Sequence, residues 1–424
     1  MGRRRVGTIM ALGVAAALLV AGCGGEGGGQ GSGGGGGSGG EGDAPTATIV
    51  SDLPLQGSSR PQNETIVNAI NLAIEERGGM AGDVQIEYTS QDNATAQAGK
   101  WDEAKCAENA QGAAQDASIV GWIGPFNSGC AQVEIPILNQ AGLAMVSPAN
   151  TLLGLTKPGG EVDEPERYYP TGERNYTRVI VSDDKQGRAG ASWMSDLGVQ
   201  RVYILDDQEA YGAGLADQFQ AAAEEAGIEV LGREGIDGNA ANYRSLMSQI
   251  AQTQPDAIYF GGITQNNAGQ LVNDKVGAGM ANEDVIFMGP DGIIEDAFLE
   301  AAGEAGEGIY ATFGGLPASE LSQKGQDFVS NYEEQFGGSV EAYTAYGYEA
   351  ANVMLDAIQR AYEADGEVTR ENVLRELFAT RDYSGVLGTW SFDADGDTTL
   401  TQLSGQRVQG GEFQFDRVID AGGA

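Results

Sequence analysis

Polar side chains that could bind a ligand follow three buried strands of this chain. Ser128 lies between the strand that ends at Ile123 and the next helix, so its hydroxyl and the first helical amides could hold an anion. Thr151 follows the next strand, and Asp291 follows a strand in the second half of the chain. Because ligands of open α/β sheets lie beyond the carboxyl ends of the strands, the three positions predict ligand contacts.

Each position also has an explanation that involves no ligand. Ser128 could be a plain N-cap of the helix that follows it. Turn chemistry alone could account for Ser147-Pro148-Ala149-Asn150-Thr151, and Asp291 could be a solvated loop aspartate. The residue types alone leave both explanations open.

One missing residue type excludes several kinds of enzyme. The chain contains no histidine, so a Ser-His-Asp or Cys-His catalytic site is impossible and the usual zinc ligands are absent. There is no P-loop pattern, and Gly212-Ala213-Gly214 lacks the third glycine of a dinucleotide fingerprint. The acids from Asp393 to Asp397 precede Thr398 where a calcium loop needs glycine, which favours a turn. We expect no enzyme, cofactor or metal, although catalysis by carboxylates alone stays open.

The elements that must position these side chains alternate along the chain. From Ala44 onward, short apolar strands and amphipathic helices follow each other, which predicts parallel sheets covered on both faces. The alternation breaks in a long loop between Leu152 and Asn175 and then resumes, so the 424 residues predict two doubly wound α/β units. Among the helices we expect one from Ala96 to Asp116.

The N-terminus has the features of an export signal. Arginines at positions 3–5 precede an apolar stretch, which together suit a signal peptide over residues 1–22. The stretch ends in Leu19-Val20-Ala21-Gly22-Cys23, which resembles the lipobox of bacterial lipoproteins, so we expect fatty chains on Cys23. Residues 23–43, mostly glycine and serine, predict a flexible tether on the outer side of the cell membrane. An ordinary secretory peptide with an incidental cysteine is the alternative.

Two cysteines remain in the body of the chain, Cys106 and Cys130. If Cys23 carries lipid, they form an even pair in an oxidising compartment, where a disulfide is the simplest expectation. Two buried free thiols are the alternative.

The charge argues against one class of partner. The formal net charge is -37, whereas binding to nucleic acid needs clustered lysine and arginine. The acids are scattered throughout the sequence, which indicates a solvated surface rather than a binding tail. We therefore expect no nucleic-acid partner.

A set of short motifs, in a fixed order, points to a family. The motifs are Leu53-Pro54-Leu55-Gln56-Gly57, Arg77-Gly78-Gly79, Ile123-Gly124-Pro125-Phe126-Asn127-Ser128, Val146-Ser147-Pro148-Ala149-Asn150-Thr151, Asp183-Asp184-Lys185-Gln186-Gly187, Asp206-Asp207-Gln208-Glu209-Ala210-Tyr211-Gly212, Tyr259-Phe260-Gly261-Gly262 and Met288-Gly289-Pro290-Asp291-Gly292. In this order the chain resembles the branched-chain-amino-acid-binding proteins of ABC importers, which have the type I periplasmic binding protein fold. The resemblance covers nearly all of residues 44–420.

The resemblance implies two lobes that close on a ligand like a hinge, joined by three crossings. Mapped onto this sequence, the crossings lie near Val181, Gly314 and Thr398. Lobe I would comprise residues 44–181 and 315–398, and lobe II residues 182–314 and 399–424. The implied partners are an amino acid or similar small molecule and the permease subunits of the importer.

The resemblance also implies roles for the residues around the ligand. The Ser128 hydroxyl, the Ala149 amide and the Thr151 hydroxyl would hold a ligand carboxylate. Asp291 would contact the ligand ammonium, at a position where the family usually has the longer glutamate. We expect these four residues to define the polar part of the site.

Three further residues would complete the site. Tyr211 occupies the aromatic position that packs on the ligand side chain, and Ile263 replaces a second aromatic residue. Asp183, at a lobe crossing, is a further polar candidate. Because Asp291 and Ile263 depart from the family, amides, urea or a short peptide remain alternatives to an amino acid, and a ligand sensor remains the alternative to a transport protein.

Overall fold

Six strands from the N-terminal part of the chain form one sheet in the computed structural model, which describes residues 44–421. The strands are β1 (Thr46–Leu53), β2 (Met80–Ala81), β3 (Val84–Asp92), β4 (Ile119–Ile123), β5 (Ala144–Ser147) and β6 (Tyr176–Arg178). Their order is β2-β3-β1-β4-β5-β6, and only β2 and β3 pair antiparallel. The helices between them are α1 (Arg60–Glu76), α2 (Glu103–Gln115) and α3 (Ser128–Gln140).

A second sheet, of seven strands, is built from the later part of the chain. Its elements in chain order are α4 (Asp183–Asp196), β7 (Arg201–Asp206), α5 (Ala210–Glu225), β8 (Glu229–Gly235), α6 (Arg244–Thr253), β9 (Ala257–Gly261), α7 (Ala268–Gly277), β10 (Ile286–Gly289), α8 (Asp296–Ala302) and β11 (Tyr310–Phe313). After three more helices, α9 (Gln323–Phe336), α10 (Thr344–Asp365) and α11 (Arg370–Phe378), come β12 (Tyr383–Gly385), β13 (Gly388–Trp390), β14 (Gln402–Gln409) and β15 (Glu412–Asp420). The sheet order is β15-β14-β11-β10-β9-β7-β8, with β14 and β15 antiparallel at one edge.

Helices α9–α11 lie in sequence between β11 and β14 of the second sheet, yet α10 and α11 pack against the first. The Thr344 and Thr65 hydroxyls of α10 and α1 lie 2.7 Å apart, and the Arg370 guanidinium donates to the Ile119 carbonyl of β4 at 2.9 Å. We call the first sheet with α1–α3 and α9–α11 lobe I, and the second sheet with α4–α8 lobe II. The boundaries near Val181, Gly314 and Thr398 stay a proposal, which this division into sheets supports.

Both sheets are covered on two faces, as the near-continuous apolar strands require. Every residue of β4 and of β9 is buried. In lobe II the Phe219 ring of α5 stacks on Tyr259 of β9 with ring centroids 3.6 Å apart. The predicted class, two α/β lobes with mostly parallel sheets, is confirmed.

The helix predicted from Ala96 to Asp116 is wrong in its first part. Helix α2 begins only at Glu103, because Asp102 is its N-cap and accepts a hydrogen bond from the Lys105 amide at 3.1 Å. Residues 93–102 form a loop instead, closed by a bridge between Ala94 and Trp101. The apolar periodicity did not reveal this cap.

A buried ion pair joins β6 to the acidic stretch near the end of lobe I. The Arg178 guanidinium, fully buried, lies 2.7 Å from Asp397 and donates to the Leu152 carbonyl at 2.8 Å. Lys157 lies 2.8 Å from the other oxygen of Asp397. Both cations favour the charged carboxylate, so the pKa of Asp397 is lowered although burial opposes it. The acids of this stretch therefore have protein partners, in agreement with a structural turn.

Cys106 of α2 and Cys130 of α3 are adjacent in the core of lobe I. Their sulfur atoms lie at bonding distance, 2.00 Å, and their Cα atoms are 5.7 Å apart. The pair fixes α2 against the helix that begins at Ser128. No helix within residues 44–421 combines the length and the apolar character that a membrane span requires.

Candidate functional site

A small cleft between the lobes brings together most of the residues that the sequence predicts for ligand binding. It is lined from lobe I by Phe126, Asn127, Ser128, Ala149 and Tyr343, and from lobe II by Glu209, Tyr211, Ile263, Asp291 and Gly292. The cavity volume is about 30 Å³, far below the roughly 300–1,000 Å³ of an ordinary small-molecule pocket. The lobes are therefore closed on each other in this structure.

The lobe I side of the cleft has the features of an anion site. Ser128 is the first residue of α3 and is almost fully buried. Asn127 holds the N-cap position, so the expectation that Ser128 is only an N-cap is wrong. The Ser128 hydroxyl accepts a hydrogen bond from the Leu152 amide at 3.4 Å, and its own proton is free to point to a ligand. The positive end of the α3 dipole adds to this attraction for an anion.

In the neighbouring turn after β5, some hydrogen-bonding groups already have a partner within the protein and one does not. The Ser147 hydroxyl accepts from the Ala149 and Asn150 amides at 3.1 and 2.9 Å, so turn chemistry does account for these two amides. The Thr151 hydroxyl differs, since it is buried and has no hydrogen-bond partner among the described residues. A buried hydroxyl without a partner is costly, so this group is the part of the turn that is open to a ligand.

On the lobe II side, Asp291 is buried and already accepts three hydrogen bonds. Tyr211 and Gln186 donate to its Oδ1 at 2.8 and 2.5 Å. The Tyr343 hydroxyl, which comes from lobe I, donates to Oδ2. Burial raises the pKa of Asp291, and the three donors oppose that rise. Asp291 is therefore not a solvated loop residue, and it joins the two lobes directly.

Asp183 is a second buried acid beside this contact. It begins α4 one turn before Gln186, so the two side chains project from the same side of the helix. In the part of the chain that the structure describes, neither carboxylate oxygen of Asp183 has a hydrogen-bond partner. Burial raises the pKa of Asp183 to about 8, and the Asp291 charge adds to the rise. The nearby Thr151 hydroxyl opposes the rise and lowers this pKa.

Aromatic and aliphatic side chains close the remaining sides. Tyr211 and Ile263 are both buried against the cleft. The Tyr343 ring meets Phe126 edge to face with centroids 5.0 Å apart. The site can thus bind a small molecule with a negative end, a donor-rich end and an apolar part.

Comparison with known proteins identifies the family. The family model described as periplasmic binding protein matches residues 48–412. The chain belongs to the periplasmic binding protein family. The Leu/Ile/Val-binding protein homolog 2 of Brucella abortus (strain 2308) is 29% identical over 358 residues, which are 82% of this chain and 86% of that protein. A leucine-, isoleucine-, valine-, threonine- and alanine-binding protein of Pseudomonas aeruginosa is 27% identical over 277 residues, which are 65% of this chain and 68% of that protein.

Solved structures of binding proteins are similar to this chain over most of its length. A leucine-binding protein of Thermotoga maritima superposes with a TM-score of 0.76 at 26% identity, covering 88% of this chain and 99% of its own. LivJ of Streptococcus pneumoniae, in complex with isoleucine, reaches 0.74 at 22% identity, with coverages of 88% and 99%. A solute-binding protein of an ABC transporter from R. palustris, in complex with benzoate, reaches 0.72 at 19% identity, with coverages of 88% and 96%. The last two likenesses concern the fold alone.

Within this family fold, sequence reasoning located some site residues and missed others. Ser128, Ala149, Tyr211, Ile263 and Asp291 line the cleft. Thr151 and Asp183 do not line its free volume but lie buried next to it, whereas Cys23 falls outside the described residues.

The missed residues include Tyr343, Gln186 and Glu209. Gln186 could have been found, since it lies three residues after Asp183 on the same helix. Tyr343 reaches Asp291 from across the cleft, and no local pattern predicts this contact.

Proposed function

We propose that this chain is the extracytoplasmic solute-binding protein of an ABC importer and that it binds a branched-chain or related amino acid between its lobes. One observation supports this best: a helix N-terminus with Ser128 faces the buried Asp291 across a closed cleft, and a second buried acid, Asp183, lies near Asp291. An amino acid carries a carboxylate for the first feature and an ammonium for the second. The names of the relatives support the same ligand class.

The ligand carboxylate would bind at the start of α3 and to the Thr151 hydroxyl. The ammonium would bind between Asp183 and Asp291. A carboxylate can accept about four hydrogen bonds, so Asp291 keeps room for one more donor, and Asp183 has both oxygens available. The ligand side chain would lie against Tyr211 and Ile263.

Because the cavity volume is only about 30 Å³, an amino acid fits only after side chains that fill the cleft have moved aside. The Tyr343–Asp291 contact is the one that the ligand would displace first. Ligand binding would then shift a hinge equilibrium through its affinity for both lobes at once.

An aromatic acid such as benzoate is the second candidate, because a solved neighbour binds one. It would leave the Asp291 carboxylate without a cationic partner in a buried site, which is costly. Amides, urea and a sensor role would use the same cleft. We propose a binding protein rather than an enzyme, since the relatives are named as amino-acid-binding proteins.

We propose further that Cys23 carries the lipid anchor and that Cys106 and Cys130 form a disulfide in the exported protein. The lipobox supports the first, and the adjacent sulfur atoms support the second.

Mass spectrometry of small molecules released on denaturing the purified protein tests the ligand class. We expect an α-amino acid at up to one molecule per chain. Recovery of an aromatic acid or an amide instead would contradict the proposal.

A further inference from the structure

We infer that Lys100, Trp101, Glu209 and Asn266 form a latch across the mouth of the cleft, and that this latch controls how fast a bound ligand leaves. Lys100 and Trp101 belong to lobe I, whereas Glu209 and Asn266 belong to lobe II. The inference rests on the proposed function only in that leucine serves as the probe of release.

The latch consists of charge-assisted hydrogen bonds that meet on one carboxylate. The Trp101 indole donates to Glu209 Oε2 at 3.0 Å, and the Lys100 ammonium pairs with Oε1. Lys100 also donates to the Asn266 side chain at 2.7 Å, and the Asn266 amide donates to Glu209 Oε1 at 2.9 Å. Such bonds to charged groups are stronger than neutral ones. The side chains of Lys100 and Glu209 are 29% and 17% exposed, so water screens the pair only partly.

On the lobe I side, the 93–102 loop holds the two latch residues in place. The Gln56 amide donates to the Ala94 carbonyl at 3.1 Å, and Ala94 forms the bridge to Trp101. The Trp101 ring packs so closely on Gly129 that a Cβ there would lie 2.5 Å from the ring. Since Gly129 follows Ser128 in α3, the loop presents the latch directly beside the proposed anion site.

On the lobe II side, Glu209 is fixed by its neighbours. Its amide donates to Asp207 Oδ1 at 3.0 Å at the start of α5. Asn266 donates to Asp207 Oδ2 at 2.8 Å, so Asp207 orders both latch partners of Lys100. Because these contacts already orient the Glu209 carboxylate, less conformational entropy is lost when the latch forms.

The position of Glu209 explains why the latch would affect release. Glu209 lines the cleft together with Ser128 and Tyr211, whereas Lys100 lies outside the enclosed volume. When the lobes separate, the hydrogen bonds of Lys100 and Trp101 to lobe II must break before a ligand can leave. The latch holds the two lobes together, so its loss should raise the rate at which a bound ligand dissociates.

Lys100→Met tests the inference without touching the cleft. Release of radiolabelled L-leucine from the full mature chain, chased with unlabelled leucine, should become about 10- to 100-fold faster, as expected for losing hydrogen bonds to a charged partner. Lys105→Met is the matched control, because Lys105 pairs with Glu108 on the surface of lobe I, away from the cleft. Lys100→Arg should restore slow release in part. Equal release rates for Lys100→Met and Lys105→Met would overturn the latch.

A second measurement keeps the latch testable if leucine does not bind. Small-angle X-ray scattering of the ligand-free protein should show a larger radius of gyration for Lys100→Met than for the parent and for Lys105→Met. Identical scattering curves for the three proteins would refute the latch. Failure of the parent to bind any amino acid would instead refute the proposed function, whatever the scattering shows.

Discussion

Affinity for an amino acid should rise with pH because of the state of Asp183. Burial raises the pKa of this carboxyl to about 8, so it is mostly protonated at pH 7 in the ligand-free protein. A ligand ammonium binds the charged carboxylate, and binding must therefore release a proton. The change in affinity follows the fraction of protein that carries the charged form.

The size of the effect follows from the pKa of about 8. About 1% of the protein has a charged Asp183 at pH 6 and about half at pH 8, so affinity should increase by roughly 50-fold over this range. At pH 7, binding should release about 0.9 proton per ligand. Asp183→Asn should remove the pH dependence and weaken binding at pH 8, because a neutral amide cannot pair with the ammonium.

Isothermal titration calorimetry with L-leucine at pH 6, 7 and 8 measures the affinity, and repeating it in buffers with different ionisation enthalpies counts the protons. The stability of the ligand-free protein gives an independent check that the pKa of Asp183 is raised. A carboxyl whose folded pKa is raised binds more protons when folded, so its contribution to stability falls as pH rises from about 4 to about 8. Asp183→Asn should thus stabilise the unliganded protein at pH 8. An affinity that stays flat from pH 6 to 8, with no proton release, would refute this account of Asp183.

Three other predictions concern the fold and the anchor. Arg178→Met should lower the free energy of unfolding by about 3–5 kcal/mol in urea denaturation, since the buried Asp397 carboxylate loses its main partner; a loss below about 1 kcal/mol would contradict this. A Cys106–Cys130 bridge would link residues 24 positions apart and should contribute about 3 kcal/mol to stability. Thiol titration of the unfolded, unreduced protein should find neither thiol of this pair free, and two free thiols would disprove the bridge. Cys23→Ala should release the protein from membranes into the medium, whereas full membrane retention would argue against the lipid anchor.

Much of the fold follows from alternation in the sequence. Strands such as Ile119–Ile123 are apolar throughout because helices cover both faces of their sheet. Element order therefore predicted two α/β lobes. Apolar periodicity alone did not show that helix α2 starts at Glu103, because the start is set by the Asp102 side chain, which accepts a hydrogen bond from an amide of the first turn.

Only those site residues were predictable whose place in the cleft follows from their position just after a strand. Ser128 and Asp291 follow strand ends, and strand ends meet at the cleft. The contacts made by Tyr343 and Lys100 depend on how the two lobes close, with partners 52 and 109 residues away. Local patterns contain no information about such pairs, and the family motifs do not include either residue.

The account as a whole depends on an amino acid being held by both of its charged ends. Calorimetric titration of ligand-stripped protein at pH 8 with L-leucine, related amino acids and benzoate tests this directly. We predict one-site binding of at least one α-amino acid, and Asp291→Ala should weaken it by at least about 30-fold because the ammonium loses a buried charged partner. Binding of benzoate without any amino acid, or unchanged affinity in Asp291→Ala, would contradict the proposed site.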